Sequence, residues 1–258
     1  MLLGFALLVI PWLSYLQLIE MERLLIQSRE NVQLLLARGI STLFNGRDDL
    51  FNDLPVSYPV EYEPLYVHPL TTSVRLDGDP DDWGSGLTEK AQHFGPEGAD
   101  GSFDLLMAER NDQLYIYVSV FDDQRVYRSP GYLRLDTADH IRINFFETNG
   151  TDGRITLTLH EPGVASAYRM SGDWRFAATG APPANEVQGS IVETKTGYGI
   201  EFRLPLSMMG SKRGFAVSFA DVDDRESREI RAIVQTLPKG DKESFNPVSY
   251  THLTLPTK

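Results

Sequence analysis

The spacing of hydrophobic and polar residues changes twice along the chain. Residues 2–19 form an uncharged, largely apolar run of 18 residues, which predicts a helix long enough to cross a bilayer. From Glu20 to Phe44, apolar residues recur at helical spacing between charged ones, which predicts an amphipathic helix that ends at Asn45-Gly46. After a connector with four prolines the hydrophobic period becomes two, which is typical of strands with one buried face.

The alternating part of the chain predicts about ten strands. Their ranges are 74–77, 103–109, 114–121, 141–146, 155–160, 164–170, 187–194, 200–204, 215–220 and 229–236. Turn pairs such as Asn149-Gly150 and Asp152-Gly153 separate them, and no helical pattern of 10–15 residues intervenes. The predicted class is therefore mainly β: an antiparallel β-sandwich preceded by a long N-terminal transmembrane and juxtamembrane α-helix.

These patterns divide the chain into five segments. They are a transmembrane helix at 1–19, a juxtamembrane amphipathic helix at 20–45, a proline-rich connector at 46–70, a β-sandwich at 71–246 and a tail at 247–258. The tail continues no earlier pattern and resembles the adapter-derived ends of fragmentary translated reads, so it is predicted to be non-native and is left out of the predicted fold. The apolar stripe of the second segment has to be buried, either against a second copy in a homodimer or against the chain's own downstream domain, and both alternatives stay open.

Composition removes several classes of function. The chain has 36 acidic and 24 basic side chains, a net charge of −12, and no Lys/Arg cluster, which argues against nucleic-acid binding. Since it has no cysteine, disulfides, thiolate metal sites and a cysteine nucleophile are excluded. Phosphate-cradling glycine loops and the G-x-S-x-G nucleophile motif are missing as well. No catalytic residue is predicted, and no cofactor apart from the calcium ion considered next.

An acidic run at residues 76–83 is the first candidate site. Asp77, Asp79 and Asp81 match the first three ligand positions of a calcium loop, but Asp82 stands where that loop needs glycine and Thr88 where it needs glutamate. An EF-hand is therefore excluded. A looser Ca²⁺ site is one interpretation, joined by three further acids, Asp221, Asp223 and Asp224. The favoured alternative is a solvated turn whose last residue, Trp83, plugs one end of the sandwich.

Aromatic residues in polar connecting segments are the second candidate site. Trp174 follows Ser171-Gly172-Asp173, and Tyr127, Arg128 and Tyr132 lie in another connection. Sugars have apolar C–H faces that stack on such rings, and polar neighbours take their hydroxyls. We therefore predict Trp174, Tyr127, Arg128 and Tyr132 as ligand-binding residues, with structural roles as the alternative for each.

Four blocks of the β region resemble the family 9 carbohydrate-binding modules and their DOMON-like relatives. In chain order they are Leu76-Asp-Gly-Asp-Pro-Asp-Asp-Trp83, Leu114-Tyr-Ile-Tyr-Val-Ser-Val-Phe-Asp-Asp123, Asp139-His-Ile-Arg-Ile143 and Gly197-Tyr-Gly-Ile-Glu-Phe-Arg-Leu-Pro-Leu206. The resemblance implies a β-sandwich fold and a glycan ligand. The interpretation that follows is a surface-anchored carbohydrate-binding module of a glycan-active protein.

The N-terminal segments together with Tyr58-Pro-Val-Glu-Tyr-Glu-Pro-Leu-Tyr66 resemble the sensor histidine kinase of proteobacterial dedicated sortase systems. This resemblance implies the input portion of a two-component phosphorelay, anchored in the bacterial inner membrane with its sandwich outside the cytoplasm. It further implies a HAMP linker, an ATP-binding kinase core and a response regulator as partner, although nothing after Thr236 matches such a core. The main expectation is thus a periplasmic sensor domain for a glycan or envelope cue, in a fragment of a histidine kinase.

Overall fold

The computed structural model describes residues 63–84, 86–237 and 245–250, together with the isolated positions Gln17 and Met21. The helices predicted at 1–19 and 20–45 therefore lie outside the described residues except at those two positions. Most of the predicted connector and residues 251–258 of the tail lie outside them too. Within the described ranges, no helix combines the length and the apolar character that a membrane crossing requires.

The described residues form strands joined by turns and short 3-10 helices. In chain order the strands are β1 Leu65–Pro69, β2 Gln92–Phe94, β3 Phe103–Arg110, β4 Gln113–Phe121, β5 His140–Glu147, β6 Asp152–Thr158, β7 Gly163–Val164, β8 Ser166–Arg169, β9 Gln188–Glu193, β10 Gly197–Pro205, β11 Met209–Asp221, β12 Ala232–Gln235 and β13 Asn246–Tyr250. The 3-10 helices are Pro80–Trp83, Thr88–Lys90 and Leu206–Met208. The mainly β class predicted from the alternation is confirmed.

The strands are hydrogen-bonded in the order β7-β9-β10-β4-β3-β1-β13-β11-β5-β6-β8, with β2 beside β3 and β12 beside β11. We call the β7-to-β3 half, with β2, sheet one and the β11-to-β8 half, with β12, sheet two. Neighbouring strands run antiparallel except at β1, which is parallel to both β3 and β13. Strands β1 and β13 connect the two halves, which pack face to face as a β-sandwich.

The core fills the space between the sheets. Alternate residues of each strand point inwards because successive side chains of a strand face opposite sides. The inner residues of β5 and β11 are Ile141, Ile143, Phe145, Phe215, Val217 and Phe219, which pack in one cluster with inner residues of sheet one such as Leu105, Met107, Ile116 and Phe202. The hydrophobic residues that recur with a period of two in the sequence thus form the inner face of the sandwich.

The outer face of sheet one is covered by the segment that leads to Trp83. The Trp83 side chain is buried with Leu106 and Tyr115, residues of β3 and β4 that point away from the main core. Its Nε1 donates a 2.6 Å hydrogen bond to Oε1 of the buried Glu201. Trp83 therefore packs on the outer face of sheet one. The prediction that it plugs one end of the sandwich is wrong. The predicted strand at 74–77 is wrong, because these residues pack over the outer face of sheet one and belong to no strand of the structure.

The turn at Asp77-Gly78 is held against the same face by Glu201. Oε2 of Glu201 accepts hydrogen bonds from the Asp77 and Gly78 backbone amides, at 2.9 and 3.1 Å. The approach is so close that a β-carbon on Gly199 would lie 2.3 Å from the Gly78 carbonyl oxygen. Glycine at 199 is therefore required by the contact between the turn and β10.

Three strands, β1, β2 and β13, lie where the sequence predicts none. β1 falls inside the predicted connector, and β13 begins at Asn246, so its last four residues belong to the excluded tail. Asn246 is fully buried: its Nδ2 donates to the Thr236 carbonyl at 3.0 Å, and its Oδ1 accepts from the Thr236 hydroxyl at 2.6 Å. Each of these strands has five residues or fewer, too short for a recognisable alternation, and its position depends on the strand with which it pairs.

Candidate functional site

A row of polar side chains crosses the outer face of sheet two. Gln235 on β12 is opposite Ser218 on β11, which is opposite Arg142 on β5, which is opposite Thr156 on β6. Because Ile141 and Ile143 face the core, Arg142 between them faces outwards. Strand register thus collects polar groups from four strands on one surface.

The connection between β8 and β9 brings Trp174 to this surface. The Phe176 carbonyl accepts a hydrogen bond from the Leu135 amide at 3.2 Å, and the Ala178 amide donates to the Leu133 carbonyl at 2.8 Å. The Trp174 ring lies beneath the Arg142 guanidinium, whose Cζ is 5.1 Å from the ring centroid. This cation–π contact ties the loop to β5 and orients the indole.

Trp174 and three residues of the polar row, Arg142, Ser218 and Gln235, border a concavity of about 650 Å³. The part of its lining that the argument uses consists of Arg142, Asn144, Trp174, Ser218, Ile233 and Gln235. Arg142 is the one charged residue among the described residues of this lining. Two other concavities, of about 500 and 580 Å³, have neither tryptophan nor arginine among their described lining residues.

Arg142 has unused hydrogen-bonding capacity. It is 9% exposed, and its Nε donates to Nε2 of His140 at 3.0 Å. Burial lowers the pKa of His140 to about 3, so its ring is neutral, with Nδ1 donating to the Ala138 carbonyl at 2.7 Å. No described residue accepts a hydrogen bond from the two terminal nitrogens of Arg142. Burial lowers its pKa to about 10, which leaves it a cation at neutral pH.

The other three predicted ligand-binding residues lie elsewhere. The Tyr127 hydroxyl donates to Glu193 at 2.6 Å, and Arg128 donates to the Tyr132 carbonyl at 3.5 Å. The Tyr132 ring lies under the Arg228 guanidinium, 4.5 Å from Cζ to ring centroid. None of the three lines the Trp174 concavity, so Trp174 is the only predicted ligand residue that the fold brings there.

The acidic turn does not gather its carboxylates. Asp77 accepts from Arg75 Nη2 at 2.7 Å and, through its other oxygen, from the Asp79 amide at 3.1 Å. Asp79 in turn accepts from the Asp81 amide at 3.2 Å. These carboxylates cap their own turn, and they are not among the groups of converging acids within the described ranges.

Aspartates converge instead at one end of β4 and β11. Carboxylate oxygens of Asp100, Asp122, Asp123 and Asp223 lie within 4.8 Å of one another, and so do those of Asp122, Asp139 and Asp221. We call these six residues the aspartate centre. Asp221 and Asp223 entered the looser calcium interpretation, but the other four were missed. The sequence signal for these four is the pair Asp122-Asp123, which directly follows a strand pattern. Asp100 and Asp139 are brought close to that pair only by the fold.

Two members of the centre are buried with free oxygens. Asp221 is 1% exposed, and neither of its carboxylate oxygens accepts a hydrogen bond from a described residue. Asp122 is 2% exposed, and its Oδ2 accepts no hydrogen bond from an N–H group of the described residues. Burial raises the pKa of Asp221 to about 7. Burial, and then the Asp122 charge, raises that of Asp139 to about 8. Burial and the neighbouring carboxylate thus favour the protonated, neutral form of these two carboxyl groups near neutral pH.

Comparison with solved structures identifies the fold. A family 9 carbohydrate-binding module from Caldicellulosiruptor kristjanssonii in complex with glucose aligns with a TM-score of 0.53 and 14% identity, over 74% of this chain and 97% of that chain. The same kind of module in complex with cellotriose aligns with a TM-score of 0.50 and 15% identity, over 73% and 93%. No protein-family model and no curated protein matches. The chain thus has a β-sandwich similar to that of these modules, whereas the kinase context stays a prediction.

Proposed function

We propose that the sandwich is a saccharide-binding module and that the Trp174 concavity receives the sugar. The observation that carries the proposal is the pairing of an aromatic ring with a buried arginine whose terminal nitrogens donate to no residue that the structure describes. The fold likeness to modules in complex with glucose and cellotriose supports it. The sugar's C–H face would stack on Trp174, while Arg142 and Asn144 take hydroxyls.

The lining chemistry favours binding over hydrolysis. Glycoside hydrolysis requires a pair of carboxyl groups flanking the scissile bond. The described lining of the concavity contains no carboxylate and no histidine. A ligand held there would therefore be recognised and released unchanged, as in a binding module.

Replacing Trp174 with alanine is expected to weaken glycan binding about 10- to 100-fold, because the apolar stacking area is lost. The measurement is a glycan array followed by titration calorimetry on the best ligand. The full chain is used, in a detergent without a sugar head group. Phe176→Ala is the matched control, since Phe176 belongs to the same loop and is 38% exposed but does not line the concavity. Unchanged affinity in Trp174→Ala, or equal losses in both variants, would refute the assignment.

A second candidate is the sensor input of a histidine kinase. It is supported by the order of the sequence, in which an uncharged run and an amphipathic stripe precede the sandwich. A ligand at the sandwich would shift a helix pair between two arrangements and so signal across the membrane. We expect the full chain to stay with the membrane fraction after an alkaline wash, and a variant lacking residues 1–19 to be released. Release of the full chain would contradict the anchor.

A further inference from the structure

We infer that the saccharide of the Trp174 concavity is acidic: it carries a carboxylate, as a hexuronate residue does, and this group pairs with the two terminal nitrogens of Arg142. The inference rests on the proposed function, because it names the class of sugar that the same concavity takes. Trp174 and Asn144 would hold the neutral part of that sugar.

Arg142 is a buried cation without an anionic partner among the described residues. None of the ion pairs between residues that the structure describes includes it. The negative charge of Asp136 acts on Arg142, but the Asp136 carboxylate already accepts from Nε and Nη2 of Arg134, at 2.8 and 2.7 Å. Since a buried charge is costly unless it is paired, an anionic ligand would supply a compensation that a neutral ligand cannot.

The hydrogen bonds of Arg142 leave one edge of its guanidinium for a carboxylate. Nε donates to Nε2 of His140 at 3.0 Å, and the His140 ring is held in turn by the Ala138 carbonyl. This contact fixes the guanidinium through Nε and leaves the parallel donors of Nη1 and Nη2. A carboxylate can accept from both nitrogens with its two oxygens, whereas a sugar hydroxyl offers a single oxygen.

Asn144 favours a ligand that carries hydroxyls as well. It lies two residues after Arg142 on the same face of β5, and it lines the same concavity. Its Oδ1 is buried and accepts no hydrogen bond from a described residue. An amide oxygen accepts from a hydroxyl but cannot pair with a carboxylate, because both are acceptors. The two side chains together therefore match a hexuronate, which has a carboxylate and hydroxyls on one ring.

The charge of the chain makes Arg142 decisive for such a preference. The net charge of −12 opposes the approach of anions in general. The described lining of the concavity contains no carboxylate, so Arg142 meets no competing acid there. Any preference for an acidic sugar would therefore come from direct contact with Arg142 and would be lost with its guanidinium.

Matched neutral and acidic trisaccharides test the inference. The full chain, in a detergent without a sugar head group, is titrated by calorimetry with cellotriose, galactotriose and mannotriose, and with the corresponding trisaccharides that carry C6 carboxylates. We expect the acidic member of at least one pair to bind about 10- to 100-fold more tightly, because it forms charge-assisted hydrogen bonds. In Arg142→Gln this preference should disappear, while affinity for the neutral member falls only about threefold. Arg142→Lys keeps the charge without the planar fork and should retain only part of the preference.

Arg154→Gln is the matched control. It removes the same charge from the same sheet face, since Arg154 is opposite Asn144, but Arg154 is not among the described lining residues. Equal effects of Arg142→Gln and Arg154→Gln, or a wild type that binds the neutral member of every pair at least as tightly, would overturn the acidic ligand. Equal affinity for a 6-O-sulfated trisaccharide would overturn the assignment to a carboxylate. If neutral glycans bind and Trp174→Ala abolishes that binding, the proposed function survives; if no glycan binds, both fail.

Discussion

Replacing Trp83 with alanine is expected to lower the free energy of unfolding by about 3–5 kcal/mol, the usual cost of removing a buried tryptophan. The ring is 2% exposed and meets Tyr115 edge-on, with ring centroids 6.4 Å apart. Its removal would open a cavity over sheet one and leave Oε1 of Glu201 buried without its donor. Urea unfolding followed by circular dichroism measures the change.

Two further variants separate packing from hydrogen bonding. Trp83→Phe keeps part of the apolar contact and removes the Nε1 donor together with some ring atoms, so it should lower the free energy of unfolding by about 1–3 kcal/mol. Trp174→Ala deletes the same atoms from a partly exposed loop residue and should cost much less, which makes it the matched control. Equal losses in Trp83→Ala and Trp174→Ala would show that Trp83 is not part of the folded core.

Replacing Asp139 with alanine is expected to lower the free energy of unfolding by about 3 kcal/mol or more, because it leaves several buried donors without their acceptor at once. Oδ2 of Asp139 accepts from the Val126 amide at 2.6 Å and the Tyr198 hydroxyl at 2.9 Å, and Oδ1 accepts from the Val222 amide at 2.9 Å. Asp139 is fully buried and ties the start of β5 to two neighbouring connections. Urea unfolding in EDTA measures the loss without a contribution from bound ions.

A graded comparison tests this role. Tyr198→Phe removes one of the three donors and leaves the other two satisfied, so it should cost only about 1 kcal/mol. Asp224→Ala, at an exposed aspartate, should change the free energy of unfolding little. If Asp139→Ala lowered the free energy of unfolding no more than Tyr198→Phe does, Asp139 would not be the residue that holds the start of β5 to the two connections.

Local patterns were sufficient for most of the β-domain. Nine of the ten predicted strands overlap strands of the structure, because alternation along one strand reports directly on which face is buried. Residues 164–170 show the limit of that signal. They contain the end of β7, which pairs with β9 in sheet one, and β8, which pairs with β6 in sheet two. The pattern reads as one strand, but the chain changes sheets at Ala165.

The site required the tertiary structure. Trp174 could be singled out from its polar loop, but its contact with Arg142 depends on how that loop folds over β5. Arg142 itself looks like an ordinary outward residue of an alternating strand. The acidic run was the conspicuous calcium signal, yet its carboxylates cap their own turn, and the aspartates that converge come from three separate segments of the chain.

By itself the sequence determined an acidic, cysteine-free chain in which an uncharged run and an amphipathic stripe precede a β-sandwich. Only the tertiary structure decided which polar residues meet. Trp83 and Glu201 are 118 residues apart and Asp139 and Val222 are 83 apart, yet both pairs are hydrogen-bonded. The physical reason is that hydrophobic period is a local property of each strand. Strand register and sheet pairing, by contrast, are set by packing between distant segments, and those pairings build the Trp174 concavity and the aspartate centre.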